Sequence, residues 1–445
     1  MRSLAALKVA FQTLGCKVNY YESEALKGIF RQEGFETVGF KDKADVYVIN
    51  TCSVTHQADR KSRQAIRRAK RRNPRAIVAV MGCYPQVSPD EIISLPEADI
   101  VLGTGQRLSL LESVKRKLKG EDVAKEIAPY GQAAVFEDLP WVPEQKRTRA
   151  FLKIQDGCDQ FCSYCIIPLA RGPIRSIPLE KGMEYLREMG RFGYKEVVLT
   201  GIRLGLYGRD LQPPQSLASF LLKALTVPGI ERIRLSSVEP ADFDDEVIKV
   251  IINNEKICRH LHISLQSGDD GILKKMGRSY DTAFYTALLN KLREGMPDLA
   301  VSTDVIVGFP GEKADNFQRS YEFIKKNAFS RLHVFKYSPR RGTKAMQMSC
   351  QVAPEIKEKR SGKMIALGEE LSRTFQEKFL GRTLAVLFEK KRKAKAMNKR
   401  THLHEGFTSN YLRVQALTPD DWKGKLGEVR LDKSFRGYLR GTLVR

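Results

Sequence analysis

The sequence predicts an α/β protein in three parts: a small parallel sheet with helices, a partial (β/α)6 barrel, and a small antiparallel β-barrel at the C-terminal end. Three observations predict it. Short apolar runs alternate with helix-periodic stretches up to about residue 120. The same rhythm then repeats six times between residues 146 and 376. Beyond 377 the pattern changes to short β-type runs broken by glycine and polar turns. Alternating β/α units bury a parallel sheet under helices, and a series of Gly-broken strands reads as a small barrel.

In the first part, residues 6–120, strands are expected at Lys8–Thr13, Val46–Asn50, Ile77–Met81 and Ile100–Leu102. Helical periodicity covers Ser23–Gly34, Asp59–Arg72 and Pro89–Leu95. Residues 121–145 read as a linker, with Pro129, Pro140 and Pro143 and no periodicity. The second part, residues 146–376, offers strands at Phe151–Gln155, Glu196–Thr200, Arg232–Ser236, Leu261–Gln266, Ser302–Gly308 and Leu332–Tyr337. Helical stretches such as Glu180–Phe192 and Thr282–Arg293 separate them. Six units suggest an open version of the (β/α)8 barrel, whose sites gather at the C-terminal strand ends. The third part, residues 377–445, carries "RTLAVLFEKK", "EGFTSNYLRVQAL" and "GKLGEVRLDKSFRGYLRGTLVR", which suggest an OB-like barrel.

Seventy-six Lys and Arg against 52 Asp and Glu give a net charge of +24, which points to a polyanionic partner, nucleic acid before an anionic membrane. No apolar run approaches the roughly 20 residues of a bilayer span. The start, "MRSLAALKVAFQTLG", passes into a strand without a signal-peptide pattern. No membrane partner and a cytoplasmic location are therefore expected. Eight cysteines are too few for a disulfide scaffold at this length, and in a reducing cytosol they read as metal ligands or buried thiols.

The densest chemistry lies in "KIQDGCDQFCSYCIIPLARG", where Cys158, Cys162 and Cys165 form a C-x3-C-x2-C array. Three soft thiolates on one loop can hold three irons of a [4Fe–4S] cluster and leave the fourth open to a reactant. A zinc knuckle or a redox thiol pair is the alternative, but no nearby fourth Cys or His completes a closed zinc site. Polar and glycine residues follow the other strands: Thr200 and Gly201, Ser236 and Glu239, Gln266, and Gly308. Such residues suit hydrogen bonds and close backbone approach to a ligand, and singly they also suit ordinary turns. In the first part, Cys16, Cys52 and Cys83 each follow an apolar strand. The ends of parallel strands share one edge of an open α/β sheet, so these thiols could hold a second cluster. Three unrelated buried cysteines are the plainer alternative. Cys258 and Cys350 fit neither group, and His262, on an expected strand, reads as a packed histidine.

The C-x3-C-x-aromatic-C loop, with Tyr164 as the aromatic, resembles that of the radical S-adenosylmethionine (SAM) superfamily. The resemblance implies that Cys158, Cys162 and Cys165 are catalytic as well as metal-binding, with SAM on the open iron. It also implies that Tyr164, Thr200, Gly201, Ser236, Glu239, Gln266 and Gly308 form the SAM-binding face. Over nearly the whole chain the arrangement resembles the methylthiotransferases, which join a three-cysteine domain, a radical-SAM barrel and a small TRAM domain. "TLGCKVNYYESE", "DVYVINTCSVT", "GCYPQ", "RAFLKIQDGC" and "DVIVGFPGE" are most similar to the bacterial branch that modifies N6-threonylcarbamoyladenosine at tRNA position 37. That branch adds a methylthio group at C2. The resemblance implies an enzyme with two [4Fe–4S] clusters and SAM, the first cluster held by Cys16, Cys52 and Cys83. The expected partners are tRNA, an unidentified electron donor and a sulfur source that the sequence does not name. Ser264 departs from the related motif, which often has proline there. The same chemistry on isopentenyladenosine or on a ribosomal-protein aspartate stays open. A non-catalytic iron–sulfur RNA-binding protein is the reading of another class, and the three-cysteine loop argues against it.

Two basic regions are expected to meet tRNA phosphates. Residues Arg60–Arg75 hold nine Lys or Arg and no acid, including Arg67, Arg68, Arg71 and Arg72. From Gln376 to Arg445 there are 17 basic against 7 acidic residues, densest in "EKKRKAKAMNKR" with Lys391, Arg392 and Lys393. Solvated faces are the alternative for both. Phe407, Tyr411, Phe435 and Tyr438 either stack bases or fill the core of the small barrel.

Overall fold

The computed structural model describes residues 7–392 and 402–444, apart from 124, 126, 129–134 and 144–146. Lys393, Pro129 and most of the basic run around residue 395 lie outside the described residues.

The first part is a five-stranded parallel sheet of β1 (Lys8–Thr13), β2 (Glu36–Val38), β3 (Val46–Thr51), β4 (Ile77–Gly82) and β5 (Ile100–Leu102), in the order β2-β1-β3-β4-β5. Val9, Phe11, Val46 and Val48 pack with Leu26 and Phe30 on one face. Ala10, Tyr47 and Ile49 pack on the other with Ala65, Ile66 and Ala69 of helix His56–Arg72. Burial on both faces explains why these strands read as continuous apolar runs. The helix after β1 spans Lys17–Gln32 and starts earlier than its periodicity suggested. Asn19, Glu22 and Ser23 are buried on it, and these polar residues hid its apolar stripe. The edge strand β2 is too short and too polar to be seen in the sequence.

The second part is an open, parallel six-stranded wall in chain order: Arg149–Lys153, Glu196–Thr200, Arg232–Leu235 with Ser237–Val238, His260–Ile263, Ala300–Val307 and Arg331–Lys336. Its third strand breaks at Ser236. The piece before the break pairs with Glu196–Thr200 and the piece after it with His260–Ile263. Ala150, Leu152, Val197, Leu199, Ile233, Leu235, Leu261 and Ile263 join the core under the helices. The alternate positions face the lumen, because successive strand residues point to opposite sides. These are largely polar: Arg149 and Lys153, Glu196 and Thr200, Arg234, His260 and His262, Ser302 and Asp304.

Helix Pro354–Glu377 packs on the last wall strand, so closely that a Cβ at Gly368 would lie 3.1 Å from the Cβ of Leu332. It leads into a closed barrel of Thr383–Arg392, His402–Thr408, Arg413–Thr418, Leu426–Phe435 and Tyr438–Leu443. The expected antiparallel barrel has one parallel pairing, between Arg413–Thr418 and Tyr438–Leu443. Directions cannot alternate all the way round a ring with an odd number of strands, so one like-directed pair is unavoidable.

This barrel seals the floor of the lumen. Arg232 donates to the carbonyls of Phe407 (3.1 Å) and Ala385 (2.7 Å), and Arg234 to that of Ser409 (3.0 Å). The first part spans the gap that six strands leave open. Its Tyr20 ring meets Phe151 on the first wall strand at 5.5 Å between centroids. Its Asp59 pairs with Arg340 at 2.6 Å, just beyond the last wall strand, where Arg340 also donates to Ser53 (2.7 Å). Among the described residues no helix is long and apolar enough to cross a membrane.

Candidate active site

Each cysteine of the first triad sits where a strand hands over to the next segment. Cys16 caps helix Lys17–Gln32, Cys52 follows β3, and Cys83 opens the short helix Cys83–Val87 after Gly82 at φ +103°. A polar lattice pins the three ends together. The Asn19 amide donates to the carbonyls of Leu14 and Thr51, both at 2.9 Å, and the Thr51 hydroxyl donates to that of Met81 (2.7 Å). A Cβ at Gly15 would stand 2.8 Å from the Cβ of Cys52, so only glycine lets β1 end this close to the second thiol. Cys52 and Cys83 are buried, and Cys16 is exposed. Burial pushes the Cys52 thiol up to about 12, with Cys83 and Cys16 adding to the shift. Burial also raises Cys83, while Arg171 opposes that shift. Geometry brings the three ends together: the Cys52 sulfur lies 3.2 Å from where a Cβ would stand at Gly15, next to Cys16, and the amide of Tyr84, next to Cys83, donates to the Thr51 hydroxyl at 3.3 Å, next to Cys52.

The second triad lies on the loop after the first wall strand. Gly157 precedes it at φ +77°, and a side chain there would collide with the Pro173 carbonyl. The Cys158 amide donates to the Gly172 carbonyl (3.0 Å) and the Cys165 amide to that of Cys162 (2.9 Å). Burial pushes Cys165 up to about 12, reinforced by Cys162 and Cys158. Arg278, which sequence reasoning did not single out, donates to the Cys162 sulfur (3.2 Å) and to the Tyr164 hydroxyl (3.4 Å) and pairs with Glu239. Among the described residues no three His, Cys, Asp or Glu side chains gather tightly enough for a single metal ion. A lone zinc needs all its ligands about 2–2.3 Å from one point. A cubane instead takes one thiolate at each of several irons, which suits a wider triad.

Between the triads lies a buried ionic network. Arg171, six residues past Cys165, pairs with Glu22 (2.7 Å) and Asp156 (3.1 Å) and donates to Asn19. Arg107 pairs with Glu22 (3.1 Å) and Glu137 (2.6 Å), and Lys153 with Asp156 (3.4 Å). Burial alone would raise both acids, but Arg107, Arg171 and Lys153 hold Glu22 below its ordinary value, and Asp156 lies far below its own. Arg171 thus touches the frame of both triads, and its charge acts on Cys83, Cys16 and Cys52.

The remaining residues of the expected SAM face fall in different settings. The Ser236 hydroxyl, at the break in the third wall strand, is buried without a partner among the described residues. An orphaned hydroxyl at that level fits a polar ligand. Thr200 is buried at its strand end, and a Cβ at Gly201 would press on Gln155 at 2.9–3.0 Å. Gln266 takes φ +68° while its backbone bonds to Asp304 and Ile306. Tyr164 packs edge-on to Phe309 at 6.4 Å. Gly308, at φ +72°, is kept small by the stem of Lys357, which would stand 2.3 Å from a Cβ there, so helix packing accounts for it. His262 faces the lumen and is a packed histidine, as its strand position suggested: it is buried, within 3.0 Å of Ser302 and 3.3 Å of Asp304.

The basic helix His56–Arg72 turns Arg67, Arg68 and Arg71 outward. Arg72 is committed elsewhere: it donates to the Phe40 carbonyl (2.7 Å) and stacks on the Phe40 ring. On the small barrel Lys391 is exposed, while Arg392 pairs with Glu405 at 2.9 Å. Tyr411 reaches into the floor of the lumen, and Phe435 stacks on Tyr438 at 5.0 Å.

Comparison with known proteins adds three findings. The uncharacterized protein family UPF0004 matches residues 8–103, and the radical SAM superfamily matches residues 152–324. The chain is 43% identical to the threonylcarbamoyladenosine tRNA methylthiotransferase MtaB of Bacillus subtilis, over 98% of this chain and 96% of that protein. It is 42% identical to the protein of the same name from Aquifex aeolicus, over 86% and 92%. In fold it is similar to the radical SAM methyltransferase TsrM of Kitasatospora setae, solved with cobalamin and a [4Fe–4S] cluster, at TM-score 0.56 and 15% identity over 75% of this chain and 76% of that one.

Proposed function

The chain belongs to the radical-SAM tRNA methylthiotransferases that act on threonylcarbamoyladenosine, and from that premise we propose how its own residues divide the work. It is an enzyme that uses SAM and [4Fe–4S] clusters, and its substrate is tRNA. We assign one cluster to Cys16, Cys52 and Cys83 and the other, with SAM, to Cys158, Cys162 and Cys165. When bound, these groups supply the carbon radical that removes hydrogen from C2 of the base and the methylated sulfur that replaces it.

The protein's share is placement and exclusion of water. Arg171, Glu22 and Asp156 lock the two triads into one frame, so the sulfur-donating side and the radical-forming side hold a fixed separation. Arg278 anchors the second loop through Cys162, Tyr164 and Glu239. Ser236 offers its free hydroxyl, with Thr200 and Gln266 at neighbouring strand ends, to the polar parts of SAM. The small barrel closes the lumen from below, which shields a reactive radical from solvent. Arg67, Arg68, Arg71 and Lys391 engage phosphates of the anticodon arm, and the adenosine at position 37 enters the lumen from its single-stranded loop, at less cost than from a duplex.

The observation that carries this reading is the pair of three-thiol groups framed across one lumen by Arg171. Anaerobic reconstitution followed by iron counting tests it. About eight irons per chain are expected for two [4Fe–4S] centres; half that number removes the first triad. Nucleoside mass spectrometry of tRNA from cells lacking the gene should show the 2-methylthio derivative of threonylcarbamoyladenosine lost and its precursor retained. Normal levels, in cells without a second such enzyme, would falsify the assignment.

A further inference from the structure

The floor of the lumen holds more charge than binding an adenine requires. Glu196 takes up Arg234 (2.7 Å), Arg149 (3.7 Å) and Arg232 (3.8 Å), and Glu389 shares Arg149 (2.5 Å). Three arginines against two glutamates leave one positive charge. Lys17 and Arg331 add two more, and among the described residues neither has an acidic partner. Arg331 borders this space where the last wall strand begins, and Lys17 stands where the helix after β1 begins; the charges of both act on His260 and His333.

Tyr411 stands between them. It comes up from the small barrel in a left-handed conformation, φ +65°, which a tyrosine adopts only against strain. Arg149 donates to its hydroxyl at 3.2 Å, the Arg234 guanidinium lies 4.4 Å over its ring, and the His260 ring is 4.7 Å away. His260 is buried, with one ring nitrogen 3.0 Å from Ser302 and the other, Nδ1, without a partner among the described residues. A cavity of about 440 Å³ opens here, lined by His260, Arg331, Lys390, Phe407 and Tyr411 among others; its one lining acid among the described residues, Glu405, is taken up by Arg413 (2.6 Å) and Arg392 (2.9 Å). That volume falls in the roughly 300–1,000 Å³ range of small-ligand sites. A walled, cationic pocket with strain, an unpartnered buried nitrogen and unpaired cations is built for a small anion.

We propose that Lys17 and Arg331, with Tyr411 and His260, bind the carboxylate of the threonyl group carried on N6 of the target adenosine, and that this contact selects the substrate. The inference rests on the proposed function. In adenine, C2 and C6 flank N1, so a base with C2 turned to the triads sends its N6 substituent away from them. The floor lies in that direction. An isopentenyl group has no charge to offer these residues, and placing it there would leave the cations uncompensated, a mismatch that costs more than a lost contact.

The test uses the reconstituted enzyme and three anticodon stem-loops: one with threonylcarbamoyladenosine, one with its neutral methyl ester, and one with isopentenyladenosine. At fixed salt the unsubstituted protein is expected to bind the acid at least about tenfold more tightly than the ester, the scale of a charge-assisted contact. Lys17→Met with Arg331→Met should bring acid and ester to equal affinity, and Lys17→Arg should restore most of the difference. Iron content is measured on every variant, since Lys17 adjoins Cys16. If these cations serve RNA phosphates instead, acid and ester bind alike in the unsubstituted protein, and the inference is overturned. Preference for the acid retained in the double variant overturns it equally. Failure of the unsubstituted enzyme to methylthiolate threonylcarbamoyladenosine in tRNA would overturn the proposed function and the inference with it.

Discussion

Arg171 is the residue on which both thiol groups depend most. It is fully buried and answers two carboxylates, so removing its charge leaves Glu22 and Asp156 uncompensated in the interior. Breaking one side of such a pair costs about 3–5 kcal/mol. Arg171→Met is therefore expected to lower stability by that order in denaturant unfolding. Adding Glu22→Gln should recover part of the loss, because it removes one of the stranded charges. Equal losses in the single and double variants would mean that the network is not coupled. Little of this could be read from the sequence. Cys16, Cys52 and Cys83 were visible as a repeated position, but Arg171 and Glu22 are 149 residues apart, and a buried arginine looks like a surface one until its partner is known.

At the level of elements, the basic helix His56–Arg72 shows how one run of charge divides into different tasks. Arg67, Arg68 and Arg71 are exposed to meet phosphate, Arg67 beside Glu97 at 3.9 Å, and Arg72 secures the helix to Phe40. Replacing the first three with glutamate should weaken tRNA binding and flatten the plot of log affinity against log salt by about 2 units, since each lost phosphate contact removes roughly 0.7–0.9. Arg72→Glu should instead lower thermal stability. In the small barrel, burial alone would raise Glu405, yet hydrogen bonds from Arg413, Arg392 and Gln415 hold it at about 2 instead of 4.5. A depressed acid stabilises the fold above its unfolded pKa and loses that contribution as pH falls through its folded one. Stability of the wild-type barrel should thus decline between about pH 4.5 and 2 more steeply than in Glu405→Gln, as followed by melting of its strands. The strands themselves were legible because apolar residues alternate along them. The polar lumen was not, since Glu196 and Arg234 carry the signature of exposed positions while being buried, and Arg149 does so while half-buried.

Taken whole, the molecule is an incomplete barrel finished by its neighbours: the thiol-bearing first part stands at the seam and the small barrel under the floor. Arg340 holds the far side of the seam through Asp59 and Ser53. Arg340→Ala should raise amide exchange around residues 53–62 and 337–343 while leaving 426–443 unchanged; uniform protection would show that the seam has other fastenings. The three-part order was legible from changes of rhythm along the chain, but the docking was not, because the contacts that make it are polar and far apart in sequence. A wall made of a separate body has a mechanical consequence. The aperture of the chamber is set by where one domain rests, not by how many strands surround it. With Arg171 fixing that seat through Glu22, a substitution that moves the seat would change the width of the chamber without breaking a single rung of the sheet.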